Sequence, residues 1–291
     1  MTRSIFQRSQ WPTESTAFLI AAGLAIALSL PASDGIGLWQ AGLLALAVVI
    51  LGLPHGALDP WIARHRGLMQ STWLFAGQYA GLALLVVAIW WLIPVASLAA
   101  FLLFSAWHFA QDWHRVLPAS QRGAVGLGLL ALPAFAHPEQ VGLVFGLIAS
   151  PQAVWLGQAL NLVAWVTTPL MLLIATVLGS QARWSSSMEI VVLIVLAWLT
   201  PVLVYFIIYF CFLHSPRHLR LALEGIEGSE RNAAILSAAG YTAVTLIFAI
   251  PFALILFSIN DPEQALLQVV FIGLAAVTVP HMVLMARARA E

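Results

Sequence analysis

The sequence predicts an all-α protein, a polytopic transmembrane helix bundle of about 8–10 membrane segments. Hydrophobic residues make up 62% of the 291 residues and charged residues only 8%. The mean hydropathy of +0.95 lies well outside the range of soluble domains. Continuous apolar runs of about 20 residues recur along the chain, which is the length a helix needs to cross the hydrocarbon core. Because lipid offers no hydrogen bonds to the backbone, such runs predict helices.

We expect a single integral membrane domain over residues 1–291, with no soluble domain inserted. The predicted spans are 16–32, 37–60, 73–93, 95–116, 123–149, 154–178, 188–214, 232–259 and 264–286. The first span has some features of a cleavable signal peptide, but the many spans that follow favour an uncleaved helix.

Arginines between the spans predict the orientation of the chain, since positive residues concentrate on the cytoplasmic side. The groups assigned to that side are Arg3 and Arg8, Arg64 and Arg66, Arg115 and Arg122, Arg217, Arg220 and Arg231, and Arg287 and Arg289. The charged residues then left outside are Asp34, Arg183, Asp261 and Glu263. This arrangement requires segment 123–149 to enter and leave on one side, as a broken or re-entrant hairpin turning around Pro133, His137 and Pro138. We therefore expect a multi-pass protein of the cell (cytoplasmic) membrane.

Charge excludes two classes of function. Twelve basic and twelve acidic residues give a formal net charge of zero, so no basic surface predicts a nucleic acid partner. Every basic residue is Arg. The absence of Lys excludes any lysine Schiff base, including covalent attachment of retinal.

Histidines at membrane depth are the strongest functional signal, because buried ionisable groups in a membrane are costly and usually functional. They stand in four motifs: Pro54-His55-Gly56-Ala57-Leu58-Asp59, Trp107-His108-Phe109-Ala110-Gln111-Asp112, His214-Ser215-Pro216-Arg217-His218 and Pro280-His281. The predicted topology brings all four motifs to one membrane face.

Three of these motifs contain two polar residues four positions apart, a spacing that shares one face of a helix. His55 with Asp59, and His108 with Asp112, fit a metal ligand whose second ring nitrogen is oriented by a carboxylate. His214 and His218 could supply two ligands from one helix. Imidazole ligands suit Zn, Cu, Fe or Ni, and spacing alone does not choose among them. The alternative is that such histidines only form hydrogen bonds between helices.

The same ordered motifs resemble the Brp/Blh family, membrane β-carotene 15,15′-dioxygenases that supply retinal to microbial rhodopsins. The similarity runs from the second span to the ninth. It implies Fe(II) as the cofactor, with His55, His108, His214 and His218 as its catalytic ligands. His281 matches a further family position, either as a ligand or as a residue that contacts a ligand, and Asp59 and Asp112 would hydrogen-bond to ligand histidines and orient them. Ala110 and Leu213 depart from the usual glycine and tryptophan, which bears on the shape of the pocket.

The resemblance implies that β-carotene or a related carotenoid enters from membrane lipid and is cleaved with O2 at its central double bond, giving two molecules of all-trans retinal. It also implies a functional link to a retinal-binding rhodopsin. Three alternatives stay open at this point. A di-iron desaturase or hydroxylase generally needs more histidines and adjacent His-His pairs, whereas a transporter should spread polar residues across the membrane. A non-catalytic protein that handles retinal or carotenoid would use the same fold.

Overall fold

The computed structural model describes residues 11–28 and 36–290, apart from the side chains of residues 289 and 290. The predictions for Arg3, Arg8, Asp34 and the end of the first span lie outside these residues. The described chain is all-α, as predicted. Its α-helices are α1 Thr13–Ala27, α2 Leu38–Ala47, α3 Leu53–Gly56, α4 Asp59–His65, α5 Thr72–Leu92, α6 Pro94–Ala110, α7 Ala119–Ala136, α8 Pro138–Ile148, α9 Val154–Ser180, α10 Trp184–Leu199, α11 Val202–Tyr209, α12 Ser215–Ala222, α13 Gly228–Ile259 and α14 Pro262–Ala290.

Seven continuous helical stretches among the described residues are long and apolar enough to cross a membrane: Leu38–His65, Thr72–Leu92, Pro94–Trp113, Pro151–Ser180, Val202–Ala222, Gly228–Ile259 and Pro262–Ala288. Three apolar helices are shorter: α1, α8 and α10. The expectation of a polytopic membrane protein is confirmed in this form.

One end of the bundle collects arginines. Arg115 forms an ion pair with Glu224, with 2.8 Å between Nη2 and Oε2. Arg183, after α9, donates from Nη1 to the carbonyl of Val116 at 2.8 Å. We call the end containing these residues the arginine end.

The opposite end is held together by side-chain amides, and we call it the distal end. Gln268 Nε2 donates to the carbonyl of Leu147 at 3.0 Å. Asn260 Nδ2 donates to Gln268 Oε1 at 3.1 Å, and the amide of Val202 donates to Gln140 Oε1 at 3.3 Å. Helices α8, α11, α13 and α14 therefore meet here.

The predicted single span 188–214 is wrong, because the chain breaks at Thr200 and Pro201. Thr200 is extended, with φ −132° and ψ 152°, and ends α10. Pro201 then begins a new helix, since its ring fixes φ and cannot donate a hydrogen bond back to α10. Arg217 on α12 donates to Glu189 at the start of α10 at 2.6 Å, which requires α10 and α11–α12 to run in opposite directions. The segment is two crossings.

The predicted hairpin in 123–149 is also corrected. The helix does break at His137, between α7 and α8, where φ is −136° and ψ is 64°. However, both halves follow α9 in one direction, as successive contacts show. Gly128 lies against Thr167 and Met171, the carbonyl of Ala134 accepts from Asn161 at 2.9 Å, and Gly142 lies against Val154. Helices α7 and α8 thus form one broken crossing rather than a return to the same side.

These two corrections change the position of Arg183. It was predicted to lie outside with Asp261 and Glu263, but the contact with Val116 places it at the arginine end. Within the described residues, ten segments then run alternately between the two ends. Arg183 consequently joins the other arginines at the arginine end, whereas the sequence had placed it at the opposite end.

Of the seven long apolar stretches in the described part of the chain, the one formed by α11 and α12 is the most enclosed. In Val202–Ala222, 72% of the most apolar window is buried inside the bundle, against none in Thr72–Leu92 and 11% in Gly228–Ile259. Tyr209 and Leu213 are fully buried there. The crossing that carries the paired histidines is therefore the centre of the bundle.

Candidate metal centre

Five histidines from four crossings converge near the arginine end: His55, His108, His214, His218 and His281. His108 is central, with ring centroids 4.9 Å from His214, 5.1 Å from His218 and 5.4 Å from His281. The predicted convergence of the four motifs is confirmed. Whether these residues bind a metal stays a prediction.

The donor nitrogens form two overlapping triplets that share His108. His55, His108 and His281 can each offer one ring nitrogen within 4.8 Å of the others, and so can His108, His214 and His218. Distances of this order allow several imidazoles to reach one ion.

Two π-helical turns aim the histidines into the bundle. Val48–Gly52 precedes His55, and Phe210–His214 ends on the first histidine of the pair. A π-turn adds a residue to the helix and is frequent at functional sites. A Cβ on Gly52 would lie 2.7 Å from Cε1 of Phe210, so glycine allows the two turns to pack closely.

Asp112 connects the His214–His218 pair to the core. Its carboxylate accepts from His214 Nδ1 at 3.1 Å and from His218 Nε2 at 3.1 Å. The hydroxyl of Tyr209 donates to it at 2.8 Å. The side chain of Asp112 is fully buried, so these three donors are its means of compensating for lost hydration.

Asp59 forms a second, smaller arrangement of the same kind. It accepts from His281 Nδ1 at 2.7 Å and from the hydroxyl of Tyr79 at 2.9 Å. The two carboxylates thus each join one phenol to histidines, two histidines in one case and one in the other.

The predicted local pairs are therefore wrong in their partners. Asp59 was expected to orient His55, and Asp112 to orient His108, but each carboxylate orients histidines from other helices. The four-residue spacing fails because the helix is interrupted between the members of each pair. Helix α3 ends at Gly56, before Asp59, and a 3-10 turn over Gln111–Trp113 follows α6. His214 and His218 do pair as predicted, with centroids 4.4 Å apart.

The donor set fits a metal ion. His55 Nδ1 donates to the carbonyl of Gly52 at 2.6 Å, which directs coordination to Nε2. Nε2 of His214 is buried and has no hydrogen-bond partner among the described residues. A buried polar atom without a partner is costly and calls for an explanation, which a metal ligand provides. Hydrogen bonds to the second ring nitrogen fix the tautomer of such ligands.

Aromatic rings close the other sides of the cluster. Phe210 stacks on His214 with centroids 5.4 Å apart, and Phe109 meets it edge-on at 4.7 Å. Phe206 in turn stacks on Phe210 at 5.2 Å. The surroundings are apolar, which suits a hydrophobic substrate.

A buried ionic network supports the site from behind, and the sequence analysis missed it. Arg217 lies between the paired histidines and donates to Glu189 at 2.6 Å and to the main-chain carbonyl of Asp112 at 3.2 Å. Trp113 Nε1 donates to the same Glu189 at 3.1 Å. Glu14 on α1 pairs with Arg220 at 2.8 Å. Acidic residues inside apolar segments were the available signal.

Comparison with known proteins identifies the family of the chain. The profile of the family described as beta-carotene 15,15′-dioxygenase matches residues 46–287, which contain all five clustered histidines. The chain is 31% identical to a protein named beta-carotene 15,15′-dioxygenase from uncultured marine bacterium 66A03, over 82% of this chain and 91% of that protein. No solved structure matches. The chain belongs to the β-carotene 15,15′-dioxygenase family.

Proposed function

We propose that this carotenoid dioxygenase cleaves β-carotene at its central 15,15′ double bond, with Fe(II) held by the clustered histidines and O2 as the second substrate. One O2 is consumed for each double bond broken, and each of the two retinal products keeps one oxygen atom. The observation that carries the proposal is the convergence of five imidazoles from four crossings, packed against the aromatic rings of Phe109 and Phe210.

The donor set favours iron over a structural zinc. Structural zinc sites are closed, four-coordinate and usually include cysteine. Among the described residues the one free cysteine, Cys211, is buried, and it belongs to neither histidine triplet. A neutral all-histidine sphere with open positions suits Fe(II), which supplies the centre at which dioxygen is activated.

The protein's own carboxylate and carbonyl groups hold the ligand histidines in a fixed orientation. Asp112 keeps His214 in the tautomer whose Nε2 is the ligand atom, and the Gly52 carbonyl does the same for His55. We propose His55, His108, His214 and His218 as the four ligands. His281, oriented by Asp59, either supplies a fifth ligand or faces the reacting bond.

The aromatic walls position the polyene and exclude water. Phe109 and Phe210 line the cluster, and flat rings pack well against a conjugated chain. Holding the central bond at the histidines supplies the orientation that an enzyme contributes to such a reaction.

The setting is a cell membrane, with the arginine end towards the cytoplasm. A carotenoid dissolves in the lipid, so the substrate enters sideways between helices. No lysine is present to capture retinal as a Schiff base. The product is therefore released, and a retinal-binding rhodopsin is the natural recipient.

Expression in a β-carotene-accumulating bacterium tests the proposal. Wild-type protein should bleach the cells and yield retinal in extracted pigments. His55→Ala and His214→Ala should abolish both effects, because each removes a ligand. His65→Ala is the matched control, since His65 stacks on Trp61 and pairs with Glu230 outside the cluster, and it should cleave normally.

Iron content of the purified proteins separates the remaining outcomes. Intact carotene in cells containing folded, iron-loaded wild type would contradict cleavage of this substrate. Undiminished cleavage by His214→Ala would contradict the assigned site. A transporter is disfavoured because the histidine cluster lies near one end of the bundle.

A further inference from the structure

The hydroxyl of Ser215 joins the two π-turns of the site. Ser215 directly follows His214, the last residue of the turn Phe210–His214, and its side chain is buried. Its Oγ donates to the main-chain carbonyl of Leu51 at 2.5 Å, and Leu51 lies inside the other π-turn, Val48–Gly52. One side chain thus connects two segments that are 164 residues apart in the sequence.

The same oxygen contacts the imidazole of His55. Nδ1 of His55 lies 3.2 Å from Ser215 Oγ and 2.6 Å from the carbonyl of Gly52. A carbonyl only accepts hydrogen bonds, so Nδ1 carries the proton and donates. Of the two carbonyls near Ser215 Oγ, Leu51 at 2.5 Å and Gly52 at 3.2 Å, the nearer takes its single hydrogen. The oxygen of Ser215 can therefore accept from Nδ1 of His55.

The segment that carries His55 is too short to hold its own direction. Helix α3 is only four residues long, and a helix of one turn is unstable without outside support. Pro54, directly before His55, has no N–H to donate to the preceding turn. The direction of the imidazole therefore depends on contacts from neighbouring segments, and Ser215 supplies one that reaches both the imidazole and the turn before it.

We propose that Ser215 is a positioning residue that fixes the direction in which Nε2 of His55 points towards the metal. The inference rests on the proposed function, in which His55 is a ligand. Asp112 orients His214 and His218, whereas for His55 this task falls to the Gly52 carbonyl and to Ser215. Since Ser215 begins the helix that carries His218, its hydroxyl fixes His55 relative to the paired histidines.

Titration of the metal-free full chain with Co(II) in detergent tests this inference without turnover. Imidazole ligands bind Co(II) as well as Fe(II), and the visible absorption of Co(II) depends on the ligands that surround it. Ser215→Ala should bind Co(II) about tenfold more weakly than wild type, because partners of a ligand's second ring nitrogen typically contribute about 10-fold to 100-fold to metal affinity. The visible spectrum of bound Co(II) should change as well.

Ser187→Ala is the matched control. The hydroxyl of Ser187 is also buried and also donates to a main-chain carbonyl, that of Ala175 at 2.7 Å, but this bond joins α10 to α9 and involves no clustered histidine. Both variants should lose similar thermal stability, because each loses one buried hydrogen bond. Only Ser215→Ala should lose affinity for Co(II). A Ser215→Ala protein that does not fold, or that binds Co(II) as tightly as wild type, would overturn the inference.

A double-mutant cycle with His55→Ala separates positioning from general support of the bundle. In the His55→Ala background, Ser215→Ala should cause no further loss of Co(II) affinity, because no imidazole is left to orient. An equal loss of affinity in both backgrounds would overturn the inference and make the role of the hydroxyl purely structural.

The same measurements separate this inference from the proposed function. Wild type that binds no Co(II) would overturn both the assigned metal site and the role of Ser215. Binding of Co(II) by wild type and equally by Ser215→Ala overturns only the role of Ser215. Weakened binding in Ser215→Ala, together with intact β-carotene in cells that contain iron-loaded wild type, overturns only the proposed reaction.

Discussion

The site consists of two unequal halves, each built around a buried aspartate. Asp112 receives hydrogen bonds from His214, His218 and Tyr209, whereas Asp59 receives them from His281 and Tyr79. Tyr209 is fully buried in the central crossing, while Tyr79 is partly exposed on α5.

The difference indicates a division of labour. A carboxylate that orients two imidazoles on one turn controls two ligand directions at once, and the Asp112 half is also fixed by Arg217 and Glu189. The Asp59 half controls one histidine, His281. We expect the first half to determine metal binding and the second to tune the reaction.

Asp112→Asn should have the largest effect. The amide keeps the shape but cannot accept hydrogen bonds from all three donors, so both His214 and His218 lose orientation. Iron bound per chain at limiting metal, and retinal formed, should each fall by about 10-fold to 100-fold. Asp261→Asn, at the exposed distal end, is the matched control. Full iron occupancy in Asp112→Asn would contradict the conclusion that the Asp112 half determines metal binding.

Asp59→Asn should have a smaller effect, because it releases only His281. We expect retinal formation to fall by about tenfold while iron content stays closer to wild type. The pair of measurements sharpens the distinction between the halves. A loss of iron as large as that of Asp112→Asn would instead make His281 a ligand of equal weight.

The phenols should matter least. Tyr209→Phe removes one of three donors to Asp112, and we expect about a threefold loss of activity, with less in Tyr79→Phe. Tyr205→Phe is the control, because its hydroxyl donates to the main-chain carbonyl of Leu129 at 2.9 Å, away from the cluster. It should lower thermal stability without lowering activity. A larger loss of activity in Tyr79→Phe than in Tyr209→Phe would contradict the greater weight assigned to the Asp112 half.

Both halves should also lie at one membrane face. Reporter fusions truncated after Arg66, beside the Asp59 half, and after Arg183, beside the Asp112 half, should report the same compartment. A fusion after Ser150, at the distal end, should report the opposite one. If Ser150 instead reports the compartment of Arg66, and Arg183 reports the opposite one, the re-entrant topology would be restored.

The sequence was sufficient for the class of fold and for the composition of the cluster. Hydropathy identified the apolar crossings, and the cost of burying imidazole in lipid identified the histidines. Both signals are strong because they depend only on residue type. Neither the crossings nor the set of histidines depended on placing a residue more precisely than one helical turn.

Two errors in the crossings arose from one ambiguity. A proline after a polar residue permits either a kink or a reversal, and sequence does not distinguish them. His137-Pro138 was interpreted as a reversal and is a break in one crossing, while Thr200-Pro201 was interpreted as part of one span and is a reversal. Each error hides one crossing, so together they leave the orientation of the later segments unchanged, and only the segments around Arg183 were misplaced.

The partners of Asp59 and Asp112 could not be predicted by counting residues. Four-residue spacing applies to an uninterrupted α-helix, and both pairs span an interruption. The ionic network of Glu14, Glu189 and Arg217 could have been predicted from the sequence, because each residue stands in an apolar segment.

The two π-turns make the site dependent on chain length as well as on residue identity. Each π-turn adds one residue to a helix. One residue rotates every later side chain of that helix by about 100° about the helix axis. Deleting one residue from Val48–Gly52 or from Phe210–His214 would keep every histidine while rotating His55, or His218, out of the cluster. A relative that keeps all the motifs but lacks one residue of either π-turn would therefore contain the same histidines without bringing them together in one site.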